Sequence, residues 1–155
     1  MNITKLVISV LICLLAGFMG SFFTAPSIPT WYATLKKPSF NPPDWLFAPV
    51  WTTLFFLMGI SLYLVWSKGL DKEGVKRAVF IFVIQLVLNI AWSFLFFGLK
   101  SPFFAFLEII LLWLAILITI IRFYPISKTA AFLLLPYIIW VSFASILNFF
   151  IVRLN

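Results

Sequence analysis

The sequence predicts an all-α, polytopic membrane protein, a single bundle of five transmembrane helices. Of its 155 residues, 65% are hydrophobic and only 10% charged, against about 25% charged in soluble domains. Apolar runs long enough to cross a bilayer recur near residues 4–24, 48–67, 78–98, 103–123 and 129–152. The connections between them are short, apart from one proline- and aromatic-rich loop at residues 26–46. Residues 1–155 therefore read as one transmembrane domain, with no room for a soluble one.

The net charge of +7 forms no patch suited to nucleic acid. The basic residues stand at helix ends, where cytoplasmic loops collect them. With five spans, Lys5, Lys68, Lys72, Lys76, Arg77, Arg122 and Lys128 share one side, and Lys36, Lys37, Lys100 and Arg153 the other. Seven against four places the N-terminus inside and the C-terminus outside, so loop 26–46 faces outward. Histidine is absent and Cys13 is the only cysteine. That excludes an intrachain disulfide and removes the usual general base and the commonest metal ligand. No metal site and no resident cofactor are expected.

The first helix starts near Thr4, and no convincing peptidase site follows it, so it reads as retained. Cys13, Ala16, Gly17, Gly20, Ser21 and Thr24 fall on one face, which predicts close helix packing in lipid. Pro26 and Pro29 end the helix.

Trp31–Trp51 holds four of the nine prolines and three of the seven tryptophans. Pro38, Pro42 and Pro43 favour extended geometry over helix. Trp31, Tyr32, Phe40 and Trp45 carry too much apolar surface for a solvated loop, which should fold back onto the bundle. The second helix begins at Ala48-Pro49 and places Trp51, Phe55, Met58 and Leu62 on one face. Ser67–Arg77 reads as a polar connection broken by Gly69 and Gly74.

The third helix carries one stripe of Gln85, Asn89, Trp92 and Phe96. Unpaired amides in hydrocarbon cost several kcal/mol, so the stripe faces protein or a cavity. Gln85 suits interhelical hydrogen bonding, and Asn89, beside Trp92, suits a cavity wall. Gly98, Lys100 and Pro102 make a tight turn into the fourth helix, where Glu108 is the only acid within a span. Pro136 should kink the fifth helix or free a carbonyl. Tyr137, Trp140, Ala144 and Asn148 share a face there, with Ala144 a gap in a bulky row.

Trp51, Asn89, Trp92, Glu108, Trp140 and Ala144 fall at one depth in the outer half of the bundle, beneath the proline-rich loop. An interhelical pocket walled by aromatic rings, with the loop as lid, accounts for them together. Flat apolar walls suit a large planar ligand, tetrapyrrole or sterol-like, and Lys36 and Lys37 could meet its carboxylates.

The motifs carry a family resemblance along essentially the whole chain. They are W-Y-x-x-L-x-K-P-x-F-x-P-P at Trp31–Pro43, F-x-P-V-W at Phe47–Trp51, and Q-L-x-L-N-x-x-W-x-x-x-F-F-G at Gln85–Gly98. Glu108 and P-Y-x-x-W-x-x-F-A at Pro136–Ala144 complete the pattern. The sequence resembles the TspO/translocator-protein family, the tryptophan-rich sensory proteins or peripheral benzodiazepine receptors. The resemblance implies homodimers and binding of porphyrins and of benzodiazepine- or isoquinoline-type drugs. The implied ligand site comprises Trp31, Tyr32, Pro43, Phe47, Trp51, Phe55, Asn89, Trp92, Phe96, Glu108, Trp140 and Ala144. Where the family's cholesterol motif has a tyrosine, Leu147–Arg153 has phenylalanine, which argues against sterol recognition.

Three functions follow. The first is a binder of porphyrin-class molecules acting in sensing, transport or scavenging. The second is an enzyme of light- and oxygen-dependent porphyrin breakdown, with Trp51 and Trp140 as the redox-active catalytic residues. The third is a membrane scaffold. The expected location is a bacterial plasma membrane, with the mitochondrial outer membrane as the alternative.

Overall fold

The computed structural model describes all residues, 1–155. Helices account for every span. They are α1 (Ile3–Ser27), α2 (Phe47–Trp66), α3 (Glu73–Ser93), α4 (Pro102–Phe123), α5 (Lys128–Leu133) and α6 (Leu135–Leu154). Five helical stretches are long and apolar enough to cross a membrane, α5 and α6 together forming the fifth.

Local chemistry sets the ends. Asn2 caps α1 by accepting from the Lys5 amide at 3.1 Å, satisfying one of the free donors of the first turn. Ser101 caps α4, with Pro102 in its first turn, and Ser127 caps α5. Pro136 has the expected effect: the helix breaks at Leu134 and restarts with the proline in the first turn of α6.

Several boundaries differ from the sequence reading. α1 runs to Ser27, through Pro26, because only the last turn is affected. α3 begins at Glu73, so Gly74 is helical rather than a breaker. An i,i+4 ion pair, Glu73–Arg77, supports that first turn at 3.3 Å. After Ser93 the helix widens into a π-turn, Phe94–Gly98. Lys100 then takes a left-handed φ of 55° to reverse the chain into α4.

The helices close a ring in the order α1, α2, α5–α6, α4, α3 and back to α1. Lipid offers little hydrophobic drive between helices, so close packing and interhelical hydrogen bonds hold the bundle. Gly59 lets α2 approach the backbone of α1: an added Cβ would come 2.6 Å from the Val10 Cα. Ser61 Oγ donates to the Ala130 carbonyl at 2.8 Å, tying α2 to α5. The main core gathers Met58, Phe82, Ile116, Phe123 and Val141, and a smaller cluster around Tyr32, Phe96 and Phe97 fills the loop end.

The two ends of the bundle keep the basic residues apart. Lys5 lies over the Trp66 ring at one end, at 5.5 Å. At the other, Lys36 pairs with Asn155, its amide donating at 3.0 Å and its carbonyl accepting at 2.8 Å.

Candidate functional site

A cavity of about 500 Å³ lies inside the ring, toward the loop end, within the usual range of small-molecule sites of roughly 300–1,000 Å³. α3, its π-turn and α6 form one side. Asn89, Trp92, Phe96 and Phe97 come from the first two, and Trp140, Phe143, Ala144 and Asn148 from α6. α2 contributes Phe47, Trp51 and Phe55, and α1 contributes Leu14, Gly17, Gly20, Ser21 and Thr24. Tyr32 and Asp44 close the loop end.

The walls are flat rings held at fixed angles. Trp51 and Trp140 meet edge to face, centroids 6.5 Å apart at 87°. Phe47 stands against Trp140 at 6.3 Å, and Trp92 stacks on Phe96 at 5.1 Å. These offset and T-shaped contacts are the preferred arrangements of aromatic quadrupoles.

The polar groups are mostly spent on holding the walls. Tyr137 Oη donates to Gln85 Oε1 at 2.7 Å and accepts from Asn89 Nδ2 at 2.7 Å. Trp92 Nε1 donates to Asn148 Oδ1 at 3.0 Å, and Asn148 Nδ2 donates to the Pro102 carbonyl at 2.9 Å. One chain of bonds therefore joins α3, α6 and the start of α4. Trp140 Nε1 is buried and donates to no protein group. On α1 the Ser21 and Thr24 hydroxyls donate to carbonyls of their own helix, at 2.7 and 3.0 Å, so they show the cavity mainly carbon.

The loop is fastened over this space. Tyr32 is 2% exposed and its hydroxyl donates to Asn41 Oδ1 at 2.9 Å. Burial pushes its pKa from 10.0 up to about 12; the Asn41 bond opposes this and the Asp44 charge adds to it. The Phe40 ring packs against Phe150 at 5.4 Å.

A sequence profile described as "TspO/MBR family" matches residues 9–154. The chain belongs to the TspO/MBR family. It is 52% identical to the Tryptophan-rich protein TspO of Archaeoglobus fulgidus over 155 residues, covering 100% of this chain and 99% of that one. It is 50% identical to the protein of the same name from Chlorobaculum tepidum over 154 residues, covering 99% of this chain and 98% of that one. Identity to the human Translocator protein is 39% over 142 residues, covering 91% of this chain and 84% of that one. Like the rest of the TspO/MBR family, the chain is an integral membrane protein.

Most of the site residues expected for a TspO/MBR protein gather on this cavity: Tyr32, Phe47, Trp51, Phe55, Asn89, Trp92, Phe96, Trp140 and Ala144 all line it. Three stand elsewhere. Trp31 is half-buried and packs edge-on to Phe96 at 5.7 Å, behind the wall. Pro43 is exposed and only starts the short 3-10 turn that leads into α2. Glu108 is buried on α4, which contributes no lining residue, and neither carboxyl oxygen has a hydrogen-bond partner. Depth alone placed Glu108 with the others, but its azimuth on α4 separates it from them. Trp45, expected to fold inward, is 72% exposed. Lys37 sits 4.7 Å over the Tyr32 ring instead of facing the cavity, and Asp44 is the charged residue in the lining.

The sequence reading missed the α1 wall. Its small residues suit helix packing, yet Gly17, Gly20, Ser21 and Thr24 line the cavity. Both roles need the same residues, because a small side chain leaves room for a neighbouring helix or for a ligand.

Proposed function

We propose that this TspO/MBR protein binds a large, planar, mostly apolar ligand of the porphyrin class in its interhelical cavity. One observation carries the reading: the cavity is walled by indole and phenyl rings, and most of the polar groups beside them are bonded within the protein, the Trp140 N–H and Asp44 excepted. Such a wall gains by covering a flat π-surface and offers little to a strongly hydrated solute. Drug-like aromatic ligands of the benzodiazepine and isoquinoline classes suit the same walls. The bonded Asn89–Tyr137–Gln85 group keeps the floor rigid, so little ordering cost remains for the ligand. Loop 26–46 acts as the lid, and the charge distribution favours the N-terminus inside the cell.

The test is titration of the reconstituted protein with protoporphyrin IX, followed by Soret shift and tryptophan quenching. The expected result is saturable binding, one pigment per cavity, displaced by an isoquinoline-type ligand. Non-saturable uptake equal to that of empty vesicles would overturn the reading.

A further inference from the structure

The cavity is not equally closed on all sides. The lining residues from α3, its π-turn and α6 are buried or half-buried. The exposed ones are Phe18, Ser21 and Ala25 on α1, Ala48 and Thr52 on α2, and Asp44 just before α2. The five on α1 and α2 flank one seam, between those two helices, and Asp44 stands at its loop end.

The seam is tight at one end and thinly covered at the other. Toward the N-terminus of α1 the helices interlock: Gly59 lies against the Val10 backbone, and a Cβ on Gly17 would meet the Phe55 ring at 2.6 Å. Beyond Gly17, toward the loop, the lining residues Ser21, Ala25, Ala48 and Thr52 are small and exposed, so little covers the cavity there; Phe18 is the one large side chain on that rim. This thinly covered stretch lies inside both membrane-spanning segments. The Ser21 hydroxyl is bonded back to the Phe18 carbonyl, so that rim adds little polarity at bilayer depth.

The loop end is the opposite case. Tyr32 is buried and bonded to Asn41. Lys36 is held by Asn155 through two hydrogen bonds. Phe40 sits on Phe143 and Phe150. The water-facing end is clasped where the membrane-facing side is open.

We propose that the α1–α2 seam is a lateral portal through which apolar molecules dissolved in the bilayer reach the cavity, while the loop end stays clasped. The route holds for any membrane-dissolved occupant, whichever ligand the cavity takes, so its test uses a lipid probe. The protein is placed in nanodiscs containing phosphatidylcholine with a diazirine on its acyl chain, photolysed, and mapped by mass spectrometry.

Adducts are expected on Trp51 and Trp140 inside the cavity as well as on the outward-facing Ile139. In Ser21→Trp/Thr52→Trp the interior adducts should fall about tenfold, because a close-packed seam admits no chain, while Ile139 labelling is unchanged. A third sample joins Lys36→Cys to Asn155→Cys with a short bis-maleimide, in a Cys13→Ala background. Interior labelling should survive this closure. Adducts confined to outward-facing residues in the unmodified protein would overturn the portal. So would interior labelling lost on clasping the loop. Neither of these outcomes depends on the plugged variant folding. Failure of porphyrin to bind would leave this labelling pattern intact and would count only against the ligand reading.

Discussion

Ala144 is one turn beyond Trp140 on α6, and its methyl is the smallest group that α6 gives the wall. A larger side chain there must project into the cavity or push Trp140. We expect Ala144→Thr to weaken binding of bulky porphyrins by about tenfold, equivalent to about 1.4 kcal/mol, with a small loss of melting temperature. Titration and thermal melts of the same samples separate the two effects. Unchanged affinity for large and small ligands alike would remove Ala144 from the wall. Neighbouring residues show how far sequence pattern reaches at this scale. The stripe Gln85–Asn89–Trp92–Phe96 was legible because amides in lipid need partners. That both amides share the Tyr137 hydroxyl was not, since Tyr137 is 48 residues away from Asn89 in the chain.

At the scale of elements, α1 and α2 depend on glycine where they touch. Gly59→Ala would bring a methyl against backbone that cannot swing aside, and such overpacking costs about 1–3 kcal/mol. Gly74, in the first turn of α3, has nothing within 4 Å of an added Cβ. Gly74→Ala should be neutral or stabilising by up to about 1 kcal/mol through helix propensity. Melting temperatures in one detergent give the comparison, and equal shifts would contradict the close approach.

The loop makes a different prediction, through Tyr32. Its folded pKa is raised from 10.0 to about 12. The stability it contributes is therefore fully present below about pH 10 and is lost as pH rises through about 12, because the unfolded loop releases the proton first. Proteolysis or hydrogen exchange of residues 30–42 should accelerate across that window, and Tyr32→Phe should abolish the step. An identical alkaline step in the phenylalanine variant would assign it to another group.

For the whole molecule, the ring of helices sorts the tryptophans by position. Trp51 and Trp140 meet edge to face in the cavity wall, whereas Trp66 lies at the far end beneath Lys5. A photoexcited porphyrin in the cavity would exchange an electron with indoles nearby and not with distant ones. Trp51→Phe and Trp140→Phe should keep much of the binding, since an apolar ring remains, and should slow light-driven pigment loss. Trp66→Phe should not. Bleaching per bound pigment, measured in all three, decides whether these indoles do more than wall the site. Equal rates would leave them as walls only and remove the case for an enzyme.

The five spans, the loop's exceptional composition and the face carrying Trp51, Asn89, Trp92, Trp140 and Ala144 were all legible in the chain. Each rests on a local rule: apolar length, proline geometry, or helical periodicity. The helix breaks at Leu134 and Gly98 were foreshadowed by Pro136 and by Gly98 itself. Tertiary packing decided the rest. Periodicity gives a residue's azimuth on its own helix but not the rotation of that helix against its neighbours. Glu108 therefore shares the depth of the cavity and still stands outside it. The small face of α1 could have met another helix along its whole length. Only the rotation of α1 against α2 and α3 turned Gly17, Gly20, Ser21 and Thr24 into a cavity wall.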